Sequence, residues 1–342
     1  MSPLLYSILR PLLFALPPER THAFALSSLH AAYRLHLLRE PRDAGQAYES
    51  LGLEFANRIG LAAGFDKNAR YIDALGSLGF GFIEVGTVTP RPQSGQDLPR
   101  LFRLPAHAAL INRMGFPNDG AEVVASRLAR RKYSGIVGVN IGKNAATPLA
   151  QAIDDYRLCY RRLALHADYV AINVSSPNTP DLRRLQEVEY LQPILEALLE
   201  EGDRVAAVRG RRVPLLAKIS PDLSDDDIAA VTQLSVRLGI DGIIATNSTI
   251  TRPAGGTAER CMAEQGGLSG APLHRIALRV LAAVRSASNG RLVIVGVGGI
   301  ATAADATAMF EAGADLIQVY TGLVYRGPDL VRELRAAERH RT

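Results

Sequence analysis

Between residues 59 and 319 the chain repeats one event eight times: a short apolar run stops abruptly at glycines, amides or hydroxyls. Ile59-Gly60-Leu61-Ala62 leads to Gly64-Phe65-Asp66-Lys67-Asn68, Phe82-Ile83-Glu84-Val85 to Gly86-Thr87, and Ile136-Val137-Gly138-Val139 to Asn140. Tyr169-Val170-Ala171-Ile172 leads to Asn173-Val174-Ser175-Ser176-Pro177-Asn178-Thr179, and Pro214-Leu215-Leu216-Ala217 to Lys218 and Ser220. Gly242-Ile243-Ile244-Ala245 leads to Thr246-Asn247-Ser248, Leu292-Val293-Ile294-Val295 to Gly296-Val297-Gly298-Gly299, and Leu316-Ile317-Gln318-Val319 to Tyr320-Thr321-Gly322. Such runs read as buried strands. The segments between them read as helices, and Ser224 with Asp227 and Thr302 with Asp305 have capping-box spacing, with Asp in place of Glu. Alternation of this kind implies a parallel sheet with right-handed crossovers. Eight repeats fit an α/β fold closed as a (β/α)8 TIM-type barrel. An open doubly wound sheet is the alternative, but its glycine fingerprint is missing after the first strand.

In such a barrel the site lies at the C-terminal ends of the strands, where this chain keeps its polar residues. The 173–179 segment offers amides and hydroxyls that can grip a small polar ligand and move a proton. Taken alone, it is equally compatible with a loop whose Asn and Ser side chains cap turns. The run Gly296 to Gly299, ahead of a helix capped at Thr302, has the makings of a phosphate cradle on the seventh strand. Lys67 and Lys218 end strands; turned inward they would stabilise negative charge, and turned outward they would snorkel to solvent. With Asn140, Asn173, Asn178 and Asn247 they make a donor-rich pocket suited to an anionic substrate with amide edges.

The N-terminal region differs in kind. Leu4, Leu5, Ile8, Leu9, Leu12 and Leu13 form one helical stripe, Pro17-Pro18 breaks it, and Pro18 opens a second helix that presents Phe24, Leu26, Leu29, Tyr33 and Leu37. No run reaches the roughly 20 apolar residues that a bilayer span needs. Residues 1–42 hold five arginines against two glutamates, more than half of the chain's net charge of +5. A basic, leucine-rich end points to an anionic membrane surface, and without basic blocks interleaved with aromatics nucleic acid is not an expected partner. Packing on the main domain, interfacial anchoring and an apolar tunnel all fit the periodicity. Residues 41–46 read as a linker. Cys159 reads as a small buried hydrophobe; Cys261 sits in a polar loop, and the pair offers neither a disulfide framework nor metal spacing.

Gly64-Phe65-Asp66-Lys67-Asn68, Asn112-Arg113-Met114-Gly115-Phe116, Asn173 to Thr179, Gly266-Gly267-Leu268-Ser269-Gly270 and Gly296 to Gly299 together resemble the dihydroorotate dehydrogenase family over nearly the whole chain. Ser176, where the soluble class has cysteine, and the N-terminal extension resemble the membrane-associated, quinone-reducing class. The resemblance implies oxidation of dihydroorotate to orotate in pyrimidine synthesis, FMN as cofactor and a membrane quinone as acceptor. It implies two parts: residues 1–42 as a helical membrane and quinone-access segment, and residues 43–342 as the barrel. A monomer lying peripherally on the cytoplasmic face of the cell (inner) membrane is expected.

By the same resemblance Ser176 is the base that takes a proton from C5 while hydride leaves C6 for N5 of the flavin, and Thr179 and Phe116 flank the proton path. Ala63, Gly64, Phe65, Asp66, Lys67, Thr87, Asn140, Asn173, Lys218, Thr246, Gly270, Gly299, Tyr320 and Thr321 match cofactor positions. Lys67, Asn112, Arg113, Met114, Gly115, Phe116, Asn173, Asn178, Asn247 and Ser248 match substrate positions. His22, Arg103 and Tyr320 match positions around the quinone. The loop from Thr251 to Gln265 reads either as a cover over the substrate or as a surface insertion.

Overall fold

The structure, a computed structural model, describes residues 3–38, 47–253 and 260–339. Eight parallel strands close into a barrel: β1 (Ile59–Leu61), β2 (Phe82–Val88), β3 (Ile136–Ile141), β4 (Tyr169–Asn173), β5 (Leu215–Ile219), β6 (Gly242–Ala245), β7 (Val293–Val297) and β8 (Leu316–Val319). Closure is made by β8 on β1, with Ile317 opposite Ile59 and Val319 opposite Leu61, which excludes an open sheet. Every strand expected from the apolar runs is present, shifted by one residue at most at its start.

The barrel interior is filled by pairing large side chains with glycine on the adjacent strand. A Cβ on Gly138 would lie 2.0 Å from the Tyr169 ring, and one on Gly60 2.3 Å from the Phe82 ring. The floor is plugged by a hairpin, Tyr48–Ser50 against Leu53–Phe55, whose Phe55 meets Phe82 edge-on at 5.4 Å. Helices around the outside bury their apolar faces against the strands; Cys159, on helix Ala152–Leu163, is fully buried among them as expected. Thr302 and Asp305 form the reciprocal capping box. Ser224 accepts from the Asp227 N–H, but the Asp227 carboxylate bonds the Ser224 hydroxyl rather than its backbone, so only half of that box exists.

Over the C-terminal rim lies an antiparallel sheet that the periodicity did not reveal: Leu101–Leu104, Ala109–Asn112 and Gly267–Gly270, with the middle strand pairing both others. Its edge strands lie about half the chain apart in sequence, and each strand is too short to carry a period. Cys261 packs beside Met262 and Leu104 against this sheet.

Two helices precede the barrel, α1 (Pro3–Ala15) and α2 (Pro18–Arg34). Tyr6 donates to the Val324 carbonyl (2.5 Å) and Arg10 to that of Tyr325 (3.1 Å), which ties α1 to the short helix after β8. The α2 stripe is only partly as expected: Leu26 is buried and Leu29 packs on the core, whereas Phe24 faces solvent and Leu37 lies beyond the helix, exposed. Ile8, Leu12, Leu16, Phe24 and Leu35 are also exposed, so this end keeps apolar surface uncovered. Among the described residues no helix is long and apolar enough to cross a membrane. The expected linker at 41–46 lies outside the described residues, as does the centre of the 251–265 loop.

Candidate active site

A cavity with about 1000 Å³ of empty space, counting the part open to solvent, opens at the C-terminal ends of the strands beneath the rim sheet. Most of the expected residues meet there: Ala63, Gly64, Lys67, Thr87, Asn112, Met114, Gly115, Phe116, Asn173, Ser176, Asn178, Lys218, Thr246, Asn247, Ser248, Gly270, Gly299, Tyr320 and Thr321 all line it. Both lysines point inward, which settles their orientation.

The amides lock one another in place. Asn178 donates to the Asn112 carbonyl oxygen (3.0 Å), and Asn112 donates in turn to the Gly267 carbonyl (3.2 Å) of the rim sheet. Asn247 donates to Asn173 Oδ1 (3.2 Å) and Ser175 Oγ (3.0 Å). Asn173 donates to Thr87 Oγ1 (2.9 Å), which donates to Asn140 (2.6 Å). Each amide therefore keeps a fixed orientation and spends only part of its hydrogen-bonding capacity on the protein. Ser176 is buried, and its Oγ accepts from the Asn178 N–H (3.3 Å), leaving its own proton and a lone pair for the cavity. Thr179, three residues further on, has its Oγ1 buried and without a partner among the described residues. Phe116 lines the wall with φ +55, a backbone conformation rare for a bulky side chain and held here by its surroundings.

Arg183 fastens this wall from behind. It donates to the carbonyls of Ser175 (3.3 Å) and Ser248 (3.1 Å) and pairs with Asp222 at 2.8 Å. Asp222 also accepts from the Ile250 N–H (2.9 Å) where the 251–265 loop begins. No motif in the sequence pointed to Arg183; its place after the Ser176 turn was the one available signal.

Of the residues matched to catalysis, cofactor or substrate, five lie outside the lining. Asp66 caps a turn, accepting from the N–H groups of Arg70 (3.0 Å) and Tyr71 (2.7 Å). Asn140 is buried beneath the cavity and acts through Thr87. Thr179 is buried just after the Ser176 turn, and Phe65 packs edge-on between Tyr320 (5.5 Å) and His22 (4.8 Å). Arg113 leaves the cavity altogether: its guanidinium pairs with Glu264 (2.6 Å), donates to the Pro99 carbonyl and stacks on Phe102. The amide side chain of Asn112 points inward, and the alternation along an extended segment sends its neighbour the other way.

Burial sets the charges. Desolvation, opposed by Glu19 and aided by Arg100, brings Lys67 down to about 8, and its ammonium donates to the Gly64 carbonyl (2.7 Å). Burial lowers Lys218 as well, opposed by Glu84. Tyr320 is raised by burial to about 12 and remains a neutral phenol. His22, on α2, is lowered to about 4 by burial and by Lys67; its Nε2 donates to the Phe65 carbonyl (2.8 Å). Arg103 is spent on the end of α1, donating to the carbonyls of Phe14 (3.2 Å) and Leu16 (2.8 Å) and stacking on the Phe14 ring.

Gly298 and Gly299, just after β7, line the opposite end of the cavity. Gly299 has φ +70, and a Cβ there would lie 2.6 Å from His274 Cβ, so glycine is required for the turn to pass the following helix. Gly299, Ile300, Thr321 and Gly322 line this end, and their N–H groups make no backbone hydrogen bond among the described residues. Four free donors beside the Ser269–Thr321 hydroxyl pair (2.8 Å) suit a phosphate. Thr87, Lys218 and the amides line the other end and suit a heterocycle with carbonyl and N–H edges. The residues present therefore fit a phosphate-bearing flavin.

Residues 47–337 match the family described as Dihydroorotate dehydrogenase. A dihydroorotate dehydrogenase (quinone) of Nitrosospira multiformis is 50% identical over 97% of this chain and 95% of its own length. One from Chromobacterium violaceum is 49% identical over 98% and 97%. Among solved structures, that of a DHODH from Eimeria tenella in complex with ferulenol superposes with a TM-score of 0.85 at 36% identity, covering 94% of this chain and 90% of that one.

Proposed function

The chain belongs to the dihydroorotate dehydrogenase family, and from that premise we propose that it oxidises dihydroorotate to orotate with a membrane quinone as acceptor, using FMN, in pyrimidine biosynthesis. The observation that carries this reading is the buried Ser176 hydroxyl at the cavity wall among interlocked amides, in a cavity that Lys67 and the buried Lys218 also line.

Asn112, Asn173, Asn178 and Asn247 present fixed donors and acceptors to the amide edges of the dihydropyrimidine ring, and Lys67 neutralises its carboxylate. When bound, FMN supplies a ring that accepts two electrons and gives them up again. Lys218, Thr87, Asn173 and Thr246 hold its ring end; Gly270, Gly299, Tyr320 and Thr321 surround its phosphate end, and Asn140 supports the ring through Thr87. Ser176 takes the proton from C5 of the substrate. A hydroxyl is a poor base unaided, so the proton needs an onward acceptor and a dry site. The buried, unpartnered Thr179 Oγ1 and the Phe116 side chain in the cavity wall meet those two needs.

Residues 1–42 form the quinone-access segment and residues 43–342 the catalytic barrel. His22, Phe65 and Tyr320 stack edge to face from α2 to the cavity, a continuous route between a quinone at α2 and the flavin. Arg103 supports this entrance by pinning the end of α1. The exposed Ile8, Leu12, Leu16, Phe24 and Leu35 rest on the membrane surface with arginines around them, as a peripheral attachment on the cytoplasmic face. The protein acts as a monomer in this reading.

The test is dihydroorotate oxidation in detergent with a soluble ubiquinone or with fumarate. Orotate formation with ubiquinone supports the reading; turnover with fumarate alone refutes the quinone. Ser176→Ala should retain flavin and lose most turnover, and undiminished turnover at neutral pH refutes its role as base.

A further inference from the structure

Glu84 takes no part in the chemistry above, yet it is a carboxylate with no exposure, in the middle of the barrel. Its Oε1 accepts from Asn140 Nδ2 (2.9 Å), and its Oε2 from the Tyr169 hydroxyl (2.9 Å) and Gln318 Nε2 (2.7 Å). Lys218 Nζ lies 3.8 Å from Oε1. Five strands, β2, β3, β4, β5 and β8, thus send one polar side chain each into a single layer. Around that layer the interior is apolar: Ala62, Phe82, Ala171, Leu216, Ile244 and Val295.

A barrel that needed only to be filled would carry leucine or methionine at this position. Buried carboxylates cost several kcal/mol unless paired and hydrogen-bonded, and an apolar replacement is often no less stable. The vertical order of the layer suggests what the charge is for. Lys218 and Gln318 reach the cavity, while Glu84 lies below them and does not. The Lys218 ammonium has Glu84 as its one counter-charge among the described residues, and the remaining neighbours of the carboxylate, Asn140, Tyr169 and Gln318, are neutral. Lys67, the other cation of the cavity, is bonded instead to the Gly64 carbonyl.

We propose that Glu84 is a positioning residue: a fixed negative charge beneath the cavity floor that keeps the Lys218 ammonium charged and aimed at the redox cofactor. The inference rests on FMN as the occupant of the cavity. Reduction of the cofactor adds negative charge, and a lysine that stayed neutral would not stabilise it. Glu84 therefore tunes how much more tightly the site holds the reduced cofactor than the oxidised one, while Tyr169 and Gln318 hold the carboxylate in place.

The experiment is the midpoint potential of FMN bound to the holoprotein, read by spectroelectrochemistry, for wild type, Glu84→Gln and Glu84→Asp. Gln keeps the shape and removes the charge; Asp keeps the charge and shortens the reach. In Glu84→Gln the affinity for reduced FMN should fall about tenfold against that for oxidised FMN, a potential about 30 mV lower, with Glu84→Asp nearer the wild type. A wild-type potential in Glu84→Gln overturns the proposal, and so does the reverse order, in which Asp is the damaged variant and Gln the normal one, because that is the signature of packing. Should Glu84→Gln fail to fold, Glu84→Gln/Lys218→Met leaves neither charge alone. It should match Lys218→Met, and a further fall in potential overturns the idea that Glu84 acts through Lys218. Wild-type protein that binds no FMN would instead refute the proposed function.

Discussion

Acidification should loosen the N-terminal helices before it harms the barrel, with His22 as the cause. The Phe65 carbonyl can only accept, so His22 Nε2 carries the proton of a neutral imidazole, and Nδ1 must gain one to form the cation. Burial against Phe65 and the nearby Lys67 oppose that charge and lower the group from 6.5 to about 4. Above pH 6.5 the ring is neutral whether α2 is docked or free, and titration contributes nothing. Between 6.5 and 4 the detached state binds the proton and the docked state does not, so docking stability falls as pH falls. Below 4 both are protonated and the whole difference is felt, about 3 kcal/mol for the full shift. At pH 5 the loss is about 2 kcal/mol, or roughly thirtyfold in the opening equilibrium. Hydrogen exchange measures this directly. After correction for intrinsic rates, protection of the α2 amides should fall about thirtyfold from pH 7.5 to 5 while that of β3 and β4 holds. In His22→Gln, which retains a donor without a titratable ring, the α2 protection should not change with pH. Equal α2 protection at the two pH values in the wild type, or an equal fall in His22→Gln, would refute the reasoning.

Removal of Arg183 tests the wall behind Ser176. Arg183→Met should cost about 2 kcal/mol of stability, as two backbone acceptors and the buried side of Asp222 lose a charged partner, and should lower dihydroorotate turnover while FMN content stays near normal. Retained kcat and KM, measured alongside thermal unfolding, would show that the clamp only stabilises the fold. Deletion of residues 1–42 should abolish ubiquinone reduction and liposome binding more than FMN binding; unchanged ubiquinone kinetics would mean that the helices merely pack.

What the sequence determined by itself is the periodic part. Eight apolar runs between helices allow few topologies, because a buried parallel strand must be apolar on both faces and its crossover must be right-handed. The same rule placed Lys67, Lys218 and the asparagines at one rim, since all the strands of a barrel end at the same face. Periodicity is a local property, and the tertiary structure decided whatever depends on contacts distant in sequence. The rim sheet joins Ala109–Asn112 to Gly267–Gly270 through residues that show no period. Alternation sends Arg113 away from its neighbour Asn112, but the carboxylate that it meets there, Glu264, lies far along the chain. Glu84 gives the same lesson from inside the barrel: in sequence it is one polar residue within an apolar strand, and only closure of the barrel brings Lys218, Tyr169 and Gln318 around its carboxylate.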